Sequence, residues 1–176
     1  MDLPRPVFFG GERKLKFWLD RDQWLPYIDV LKMNLEEASA SWFRKEYLAE
    51  AYEPELTADE MRQFATHCLD AGVKCLCITM DARGCMVYCR AQDGLQEIMV
   101  PAVPVSHVVD TTGCGDSFAG GLGFGLLQNS SDYISAVRYG NALGALRAQG
   151  KTFSVFKSLE DINEIIAQTY GEEPGR

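Results

Sequence analysis

The chain has 176 residues, of which 47% are hydrophobic and 24% charged, and these proportions are typical of one soluble globular domain. Its formal net charge of −8 argues against nucleic acid or an anionic membrane as the main partner, because both attract basic surfaces. The sequence contains no apolar run long enough to span a bilayer and no basic segment followed by an apolar one, so we expect neither a membrane span nor a secretory signal. The six cysteines are therefore expected to be reduced thiols in a cytoplasmic protein.

Strands and helices alternate from the start of the chain. Residues 1–14 are expected to be irregular apart from a short strand at Arg5–Phe9, and a weak helix is expected at Leu15–Tyr27. A strand at Ile28–Met33 and a helix or helix pair at Glu36–Glu50 follow. This order already favours a layered α/β fold.

The next helix carries the clearest local signals. Thr57 and Glu60 have the spacing of a capping box, in which a hydroxyl and a carboxylate each accept a hydrogen bond from an amide at the helix start. Gly72 is expected to end this helix. Its apolar residues recur with helical spacing on one face: Met61, Phe64, Ala65, Cys68 and Leu69.

The mostly apolar run Val73–Thr79 is typical of a strand buried on both faces in a parallel sheet. Gly84–Cys89 and Gln96–Val100 flank the turn sequence AQDG and are expected to form a hairpin. Three further helices are predicted: Asp116–Leu127, Ser131–Ala148 capped by Ser130 or Ser131, and Leu159–Tyr170 capped by Ser158. The sequence thus predicts one α/β domain over residues 1–176, with a mostly parallel sheet, an antiparallel edge and a frayed tail at 171–176.

The segment Val108–Gly121 reads VVDTTGCGDSFAGG and carries the main chemical signal. Gly113 and Gly115 stand just before a predicted helix, where glycine lets the backbone turn so that successive N–H groups face one concavity. The unpaired amides and positive dipole end of the helix complete a predicted anion hole. Asp116 lies in the first turn, where its carboxylate is stabilised as an anion and can act as a base. An anion hole beside a base is what phosphoryl transfer to a hydroxyl requires.

A plainer interpretation makes this segment a tight loop whose Asp116 caps the helix. The glycines inside the following helix argue against this plain interpretation. Each costs about 1 kcal/mol of helix stability relative to alanine, and there are four: Gly120, Gly121, Gly123 and Gly125. Close packing against a neighbouring helix would explain this cost. Neither a Walker loop nor a dinucleotide fingerprint occurs in the sequence.

The stretch DTTGCGDSFAGG resembles the C-terminal signature of the ribokinase-like, or PfkB, carbohydrate kinases, where D-T-x-G-A-G-D-x-F is usual and Cys114 replaces the alanine. Three other stretches are similar to the family in the same order: Lys32–Ala38 to K-x-N-x-x-E-A, Val73–Gly84 to V-x-x-x-x-x-T-x-G-x-x-G, and Gly150–Ser154 to G-x-x-x-S. The resemblance extends from about Pro4 to Thr169. It implies a three-layer α/β/α ribokinase-like fold, of which this chain carries the C-terminal part.

The resemblance also assigns roles around the glycine-rich segment. Asp116 would be the catalytic base that deprotonates the sugar hydroxyl, and Gly113, Cys114 and Gly115 would supply the amides of the anion hole. A monovalent cation, K⁺ in potassium-activated members, would lie behind the anion hole and stiffen it. The matching positions are Asp110, Thr112, Ala145, Ala148, Gly150 and Ser154.

Further roles follow for the nucleotide. The resemblance implies that Asn34 and Glu37 orient Mg²⁺ and the phosphates of ATP, largely through water. Thr79 and Gly84 would lie along the nucleotide, and Asn141 would lie near its base.

The chain departs from the family pattern in two respects. Asp81 stands where glycine is usual, and its carboxylate would repel polyphosphate unless it turned away or helped to hold Mg²⁺. Family members are also much longer, so the resemblance implies that several central strands, the substrate segment and the β-lid over the sugar are missing. A sheet cut there would expose an edge strand, and we expect a homo-oligomer or a partner to cover it.

Several other conspicuous side chains are interpreted as structural. The cysteine pairs lack the spacing of a zinc knuckle, the histidines have no acid–base partner nearby in the sequence, and the tryptophans suit a core or an interface. They are Cys75, Cys77, Cys85, Cys89, His67, His107, Trp18, Trp24 and Trp42.

The sequence therefore predicts the nucleotide-binding and catalytic-base half of an ATP-dependent sugar kinase. Its cofactors would be ATP and Mg²⁺, with K⁺ as a further candidate, and its partner would be a small sugar. Two alternatives stay open at this point: a catalytically silent nucleotide-binding or interaction module, and a nucleoside kinase of the same family.

Overall fold

The computed structural model describes residues 6–9, 12–15, 21–43 and 56–171. Within these ranges the chain forms six strands and six α-helices. The described chain divides into two compact units. The first contains the described residues up to Thr79 together with Tyr88–Glu97, and the second contains Met80–Val87 together with the described residues from Ile98 onward.

A short antiparallel hairpin lies at the start of the described chain. Strand β1 (Pro6–Phe9) pairs with β2 (Glu12–Leu15). The predicted strand at Arg5–Phe9 is confirmed over its last four residues. Strand β2 was not expected, since it covers the end of the segment predicted to be irregular and the first residue of the predicted weak helix.

The predicted weak helix at Leu15–Tyr27 is described from Arg21 onward. There helix α1 covers Arg21–Trp24 and continues as a 3-10 turn at Leu25–Tyr27, whereas Leu15 belongs to β2. Pro26 lies in this turn, and its missing N–H and fixed φ disfavour a longer α-helix. The predictions for Trp18, for residues 44–50 and for the tail after Gly171 fall outside the described residues, as does the side chain of Trp42.

The parallel strand pair predicted from the apolar run is confirmed. Strand β3 (Val30–Asn34) pairs in parallel with β4 (Cys75–Thr79), so that Asn34 lies opposite Thr79. The connection between them includes α2 (Leu35–Phe43) and α3 (Ala58–Asp70), as a parallel crossover requires. Because the strands run in the same direction, Asn34 and Thr79 share the carboxyl edge of the pair.

Helix α3 has the predicted start, face and end. The Glu60 N–H donates to Thr57 Oγ1 (3.2 Å) and the Thr57 N–H donates to the Glu60 carboxylate (2.9 Å), which completes the capping box. Gly72 follows the helix with a φ of 118°, which favours glycine. All five predicted residues of the apolar face are buried: Met61, Phe64, Ala65, Cys68 and Leu69.

The second half of the sheet is antiparallel. Strands β5 (Cys85–Ala91) and β6 (Gly94–Val100) are joined by the two residues 92–93, and the sheet order is β3-β4-β5-β6. Connections this short exclude parallel pairing between β4 and β5 and between β5 and β6. The predicted α/β class with an antiparallel edge is confirmed. Strand β3 is the other edge, and no strand in the described ranges pairs with its outer side.

Two long helices of the second unit pack closely through glycine. Helix α4 (Cys114–Gln128) lies against α5 (Tyr133–Ala148), and a Cβ on Gly125 would come within 2.4 Å of the Ala136 Cα. A Cβ on Gly121 would come within 2.5 Å of the Tyr139 carbonyl oxygen. The close packing predicted from the glycine-rich helix is therefore confirmed for these two glycines.

The same explanation is wrong for the other two glycines of that group. A Cβ on Gly120 or Gly123 would meet no atom of the described residues within 4 Å, because both lie on the exposed side of α4. Nothing in the described structure explains the choice of glycine at these two positions.

The caps of the last two helices differ in their agreement with the sequence. Ser158 caps α6 (Leu159–Tyr170) through a reciprocal pair with Asp161, as predicted. Helix α5 is capped by Asp132, whose carboxylate accepts from the Ser135 N–H (3.0 Å), and not by Ser130 or Ser131. The Ser131 hydroxyl instead donates to Asn129 Oδ1 within the preceding turn.

Candidate functional site

The predicted anion hole lies in the first turn of α4. Gly113 precedes the helix with a φ of 81°, a left-handed conformation that favours glycine. The helix begins two residues earlier than predicted, so Cys114 and Gly115 are helical. The Cys114 N–H donates to the Thr111 carbonyl (3.1 Å), whereas those of Gly113, Gly115 and Asp116 have no acceptor among the described residues. These three amides are the donors available to an anion.

Asp116 lies in the first turn of α4 and is exposed. Within the described residues its carboxylate accepts no hydrogen bond. Acids at the equivalent position of three other helices, Glu37, Glu60 and Asp161, all accept the amide of the preceding cap residue. The plainer interpretation, in which Asp116 is a helix cap, has no hydrogen bond to support it.

A buried arginine holds the turn before α4 in place. Arg147 is 8% exposed, and its Nη1 donates to the Gly150 carbonyl while its Nη2 lies 3.6 Å from Asp110 Oδ2. Asp110 Oδ1 accepts from the Thr112 N–H (2.9 Å). This bond and the Arg147 charge hold the pKa of Asp110 below its ordinary value. A Cβ on Gly113 would lie only 3.3 Å from Arg147 Nε, so the turn passes directly over the guanidinium.

Arg147 is not among the residues predicted from the sequence to form the site. In sequence it is a basic residue in the last turn of a helix, which is a common surface position. The available signal was its place inside GALRAQG, since a charged residue among small apolar ones suggests a buried partner.

The structure also locates the six residues assigned to a monovalent cation. Most of their oxygens already have partners in the chain. The Ala148 carbonyl accepts from the Val109 N–H (2.8 Å), the Ala145 carbonyl from Gln149 Nε2 (3.1 Å) and the Gly150 carbonyl from Arg147, while Ser154 Oγ lies 2.6 Å from Thr152 Oγ1. Asp110 is bound as described above, and Thr112 contributes its N–H to that contact.

In the first unit, Asn34 and Glu37 form a capping box at the start of α2. The Glu37 N–H donates to Asn34 Oδ1 (2.7 Å), and the Asn34 N–H donates to Glu37 Oε2 (2.9 Å). Glu37 is 8% exposed. The Thr79 hydroxyl donates to the Met33 carbonyl (3.3 Å) beside this cap. Within the described residues, the second carboxylate oxygen of Glu37 and the side-chain NH₂ of Asn34 take no part in this cap.

Two residues of the predicted nucleotide segment have unusual backbone conformations. Gly84 has a φ of 105°, and a Cβ there would come within 2.2 Å of the Val100 carbonyl oxygen, so only glycine fits. Asp81 has a φ of 49°, in the left-handed region, and its side chain is exposed. Glycine, the usual residue of the resembling family, would adopt this conformation without strain.

Asn141 is buried, and its side-chain NH₂ donates to the Pro101 carbonyl (2.9 Å) and to the Tyr170 hydroxyl (3.0 Å). The amide thereby ties α5 to α6 and to the segment after β6. Its predicted place near a nucleotide base stays a prediction. A groove of about 520 Å³ lies next to it in the same unit, lined by residues that include Val103, Ala142 and Lys157.

His67, which the sequence predicts to be structural, makes a contact between two helices. His67 does have an acidic partner, since its Nε2 lies 2.8 Å from Asp22 Oδ1, which also accepts from Arg21 Nε (2.9 Å). Arg21 foremost, and then His67, lower the pKa of Asp22 to about 2. This exposed contact between His67 and Asp22 joins α1 to α3, and sequence alone missed it because the partners are 45 residues apart.

The cysteines behave as core residues. Cys114 is half-buried and the other five are buried, with Cys75 and Cys77 Sγ 3.7 Å apart on one face of β4. The described part of the chain contains no cluster of three or more potential metal ligands among His, Cys, Asp and Glu. None of its helices is both long and apolar enough to cross a bilayer.

The glycine-rich turn before α4 lies within a region that matches a known protein family. Residues 14–155, most of the chain, match the model of the pfkB family carbohydrate kinases. The chain belongs to the PfkB family. The resemblance first noted in the glycine-rich segment is confirmed over the strands and helices on either side of it.

The relatives are sugar kinases by name. The PfkB chain is 33% identical over 112 residues to a deoxyribokinase of Salmonella typhi. The aligned stretch covers 63% of this chain and 35% of the deoxyribokinase. It is 26% identical over 98 residues to a ribokinase of Arabidopsis thaliana, covering 56% of this chain and 25% of that protein. The PfkB chain thus spans about a third or less of the length of these relatives.

Solved structures show the same fold. The Arabidopsis thaliana ribokinase complexed with ribose and ATP superposes with a TM-score of 0.66 at 23% identity, covering 82% of this chain and 43% of that one. A Burkholderia thailandensis nucleoside kinase in complex with inosine gives a TM-score of 0.62 at 25% identity, covering 86% and 43%. The chain therefore has part of the ribokinase-like fold.

Proposed function

We propose that this chain is the nucleotide-binding and catalytic-base part of an ATP-dependent kinase that phosphorylates a hydroxyl of a small sugar. The observation that carries the proposal is the exposed Asp116 carboxylate, which accepts no hydrogen bond in the described residues and shares a helix turn with three unpaired amides. Membership of the PfkB family supports the same activity.

The proposed reaction divides the work between the carboxylate and the amides. Asp116 accepts the proton of the sugar hydroxyl while the hydroxyl oxygen attacks the γ-phosphorus of ATP. The bond between the γ-phosphorus and the oxygen that bridges it to the β-phosphate breaks, and ADP is released. The N–H groups of Gly113, Gly115 and Asp116, with the positive end of the α4 dipole, stabilise the charge on the transferred phosphoryl group. Cys114 contributes to the shape of the turn, because its own amide is bound to Thr111.

Asn34 and Glu37 are proposed to hold Mg²⁺ through water. A carboxylate oxygen and water are ligands that Mg²⁺ prefers, and the capping box fixes both side chains while leaving Glu37 one oxygen for this task. Bound Mg²⁺ would neutralise charge on the phosphates of ATP. That Thr79, Gly84 and Asn141 line the nucleotide is part of the same proposal.

The acceptor is proposed to be a sugar because two relatives that the chain resembles, a deoxyribokinase and a ribokinase, are sugar kinases by name. A nucleoside is the alternative acceptor, which the likeness to a nucleoside kinase structure supports. A cytoplasmic location, and a second copy or a partner along the outer edge of β3, complete the proposal.

The capping box allows the metal role to be separated from the structural one. Asn34→Ala should lower the free energy of unfolding by about 1 kcal/mol because it removes the cap acceptor, whereas Asn34→Ser keeps an acceptor and should preserve stability. If Asn34 also serves MgATP, both variants should weaken MgATP binding measured by calorimetry. Weakening by Ala alone would show that Asn34 is only a cap.

Activity is tested by ADP release from a protein that contains this chain and can hold the acceptor. Pentoses, hexoses, deoxy sugars and nucleosides are supplied in turn with MgATP. The proposal expects turnover that depends on a sugar. Turnover with nucleosides alone would move the function to the alternative, and ATP binding without turnover of any acceptor would favour a silent module.

A further inference from the structure

The turn before α4 is braced by a positive charge that the chain itself supplies. We propose that the Arg147 guanidinium occupies the place of a bound monovalent cation behind the anion hole, so that this protein does not use K⁺ there. Arg147 is then a positioning residue for the amides of Gly113 and Gly115. Its effect on turnover rests on the proposed function, whereas its effect on cation binding does not.

The contacts of Arg147 place its charge at the centre of the turn. One end of the guanidinium donates to the Gly150 carbonyl, and the other lies 3.6 Å from the Asp110 carboxylate. The passing backbone of Gly113 leaves only 3.3 Å between a built Cβ and Arg147 Nε. Arg147 therefore contacts the chain before the turn, the turn itself and the chain after α5.

The oxygens around this point do not fit an additional cation. Two of the oxygens that would bind such an ion, the Gly150 carbonyl and the Asp110 carboxylate, contact the Arg147 guanidinium instead. The Asp110 carboxylate also accepts the Thr112 N–H. A second positive ion would also be repelled by the guanidinium that it had to approach.

The arrangement gives the turn a fixed geometry without a dissociable ion. Asp110 accepts the Thr112 N–H and is anchored by Arg147, while the Val109 and Asp110 N–H groups both donate to the Ala148 carbonyl (2.8 and 3.3 Å). These bonds fix the backbone on the N-terminal side of Gly113. Because an arginine is always charged, the brace persists at any ordinary salt composition.

The test compares thermal unfolding of the 176-residue chain in KCl and in tetramethylammonium chloride at equal ionic strength. The parent chain should unfold at the same temperature in both salts, to within about 1 °C, because it binds no K⁺. Arg147→Met removes the charge but retains apolar bulk, and should leave room and an unpaired Asp110 for K⁺. Its Tm should therefore be about 3 °C or more higher in KCl.

Two further variants identify the site. Arg138→Met removes another arginine from α5, one that lies over the Tyr170 ring, and should remain indifferent to K⁺. Adding Asp110→Asn to Arg147→Met should abolish the K⁺ effect, because the ion would lose its carboxylate. A parent Tm that rises specifically with K⁺ overturns the proposal, as does an Arg147→Met variant that folds but ignores K⁺.

Arg147→Lys covers the case in which the methionine variant does not fold in either salt. The lysine keeps a charge and is expected to fold with a Tm that is independent of K⁺, and a K⁺-dependent Tm in this variant contradicts the proposal. In a kinase-active protein containing this chain, kcat should be independent of K⁺ for the parent and should rise with K⁺ for Arg147→Met. Absence of turnover would count against the proposed function alone, since the unfolding measurements need no substrate.

Discussion

Asp116 has no hydrogen-bonding side chain at the cap of its helix, unlike the acids at the same position of three other helices. Glu37, Glu60 and Asp161 occupy the same position in their helices, and each is tied into a reciprocal pair with an Asn, Thr or Ser cap. The cap residue of α4 is Gly113, which has no side chain and can form no such pair. Asp116 is consequently left exposed and available to a substrate hydroxyl.

Asp116→Asn should therefore remove activity and little else. In a kinase-active protein containing this chain we expect kcat to fall by about 10²–10⁴-fold, or about 3–5 kcal/mol of barrier, with little change in ATP affinity. The free energy of unfolding should fall by no more than about 1 kcal/mol, since only a favourable interaction with the helix dipole is weakened.

Asp161→Asn provides the matched control, because this acid lies at the same position of α6 and does form a cap. It should change stability by a similar small amount without altering kcat. An Asp116→Asn enzyme that keeps more than about a tenth of the parent kcat would contradict the role of general base.

A second residue-scale prediction concerns Asp81, whose left-handed backbone is strained for a residue with a Cβ. Asp81→Gly relieves the strain and removes a negative charge from the proposed nucleotide site, so it should raise the free energy of unfolding by up to about 1 kcal/mol and tighten MgATP binding. Calorimetry of MgATP binding and denaturant unfolding measure the two effects.

Asp81→Asn separates charge from conformation, because asparagine tolerates the left-handed region but carries no charge. If repulsion limits binding, glycine and asparagine should tighten it to a similar degree. Tightening by glycine alone would assign the effect to the backbone, and no tightening by either would show that Asp81 does not face the nucleotide.

At the scale of elements, the site depends on how closely α4 and α5 approach. Gly121 and Gly125 let the backbones of the two helices touch, and Gly140 of α5 accommodates the Phe118 ring of α4 in return. Helix α4 starts with the proposed anion hole, and the last turn of α5 contains Arg147. The close contact between the helices thus sets the distance between the amides and their brace.

Gly125→Ala should separate the helices, because its Cβ would lie 2.4 Å from the Ala136 Cα. Overpacking of this kind typically costs about 1–3 kcal/mol of unfolding free energy. Gly123→Ala, two residues earlier on the exposed side of the same helix, should stabilise by up to about 1 kcal/mol through helix propensity. Urea unfolding of both variants checks the pair, and equal effects would show that the helices are not in close contact.

At the scale of the whole molecule, the chain is shorter than its relatives, and β3 is an edge strand of the described four-stranded sheet. It spans 35% of the deoxyribokinase that it resembles, and the outer side of β3 meets no other described strand. An edge strand of this kind is a site where further chain can add.

We therefore expect the isolated 176-residue chain to show no detectable sugar-dependent ATP turnover. The resemblance implies that most acceptor contacts lie in parts of the longer relatives that this chain does not match, so Asp116 would have no positioned hydroxyl to deprotonate. A coupled assay for ADP release tests this, with Asp116→Asn as the background control. Robust turnover that depends on a sugar and on Asp116 would show that the short chain holds its acceptor unaided.

The sequence by itself determined the features that are encoded over short distances. The capping box of α3, the apolar strand β4, the hairpin β5–β6 and the position of Asp116 after its glycines all follow from residues fewer than about a dozen positions apart. The family also followed from such a motif, because DTTGCGDSF matches D-T-x-G-A-G-D-x-F at every specified position except Cys114.

Only the tertiary structure decided which polar groups are already engaged. The Asn34–Glu37 pair, which the family resemblance links to Mg²⁺, proves to be a helix cap, and the Cys114 amide already donates to the Thr111 carbonyl. Arg147 resembled a surface residue, and only folding brings the distant turn with Asp110 and Gly113 to its guanidinium, beside the Gly150 carbonyl. Spacing along a chain predicts where a group lies in its own helix or strand, whereas its partners depend on distances that packing alone fixes.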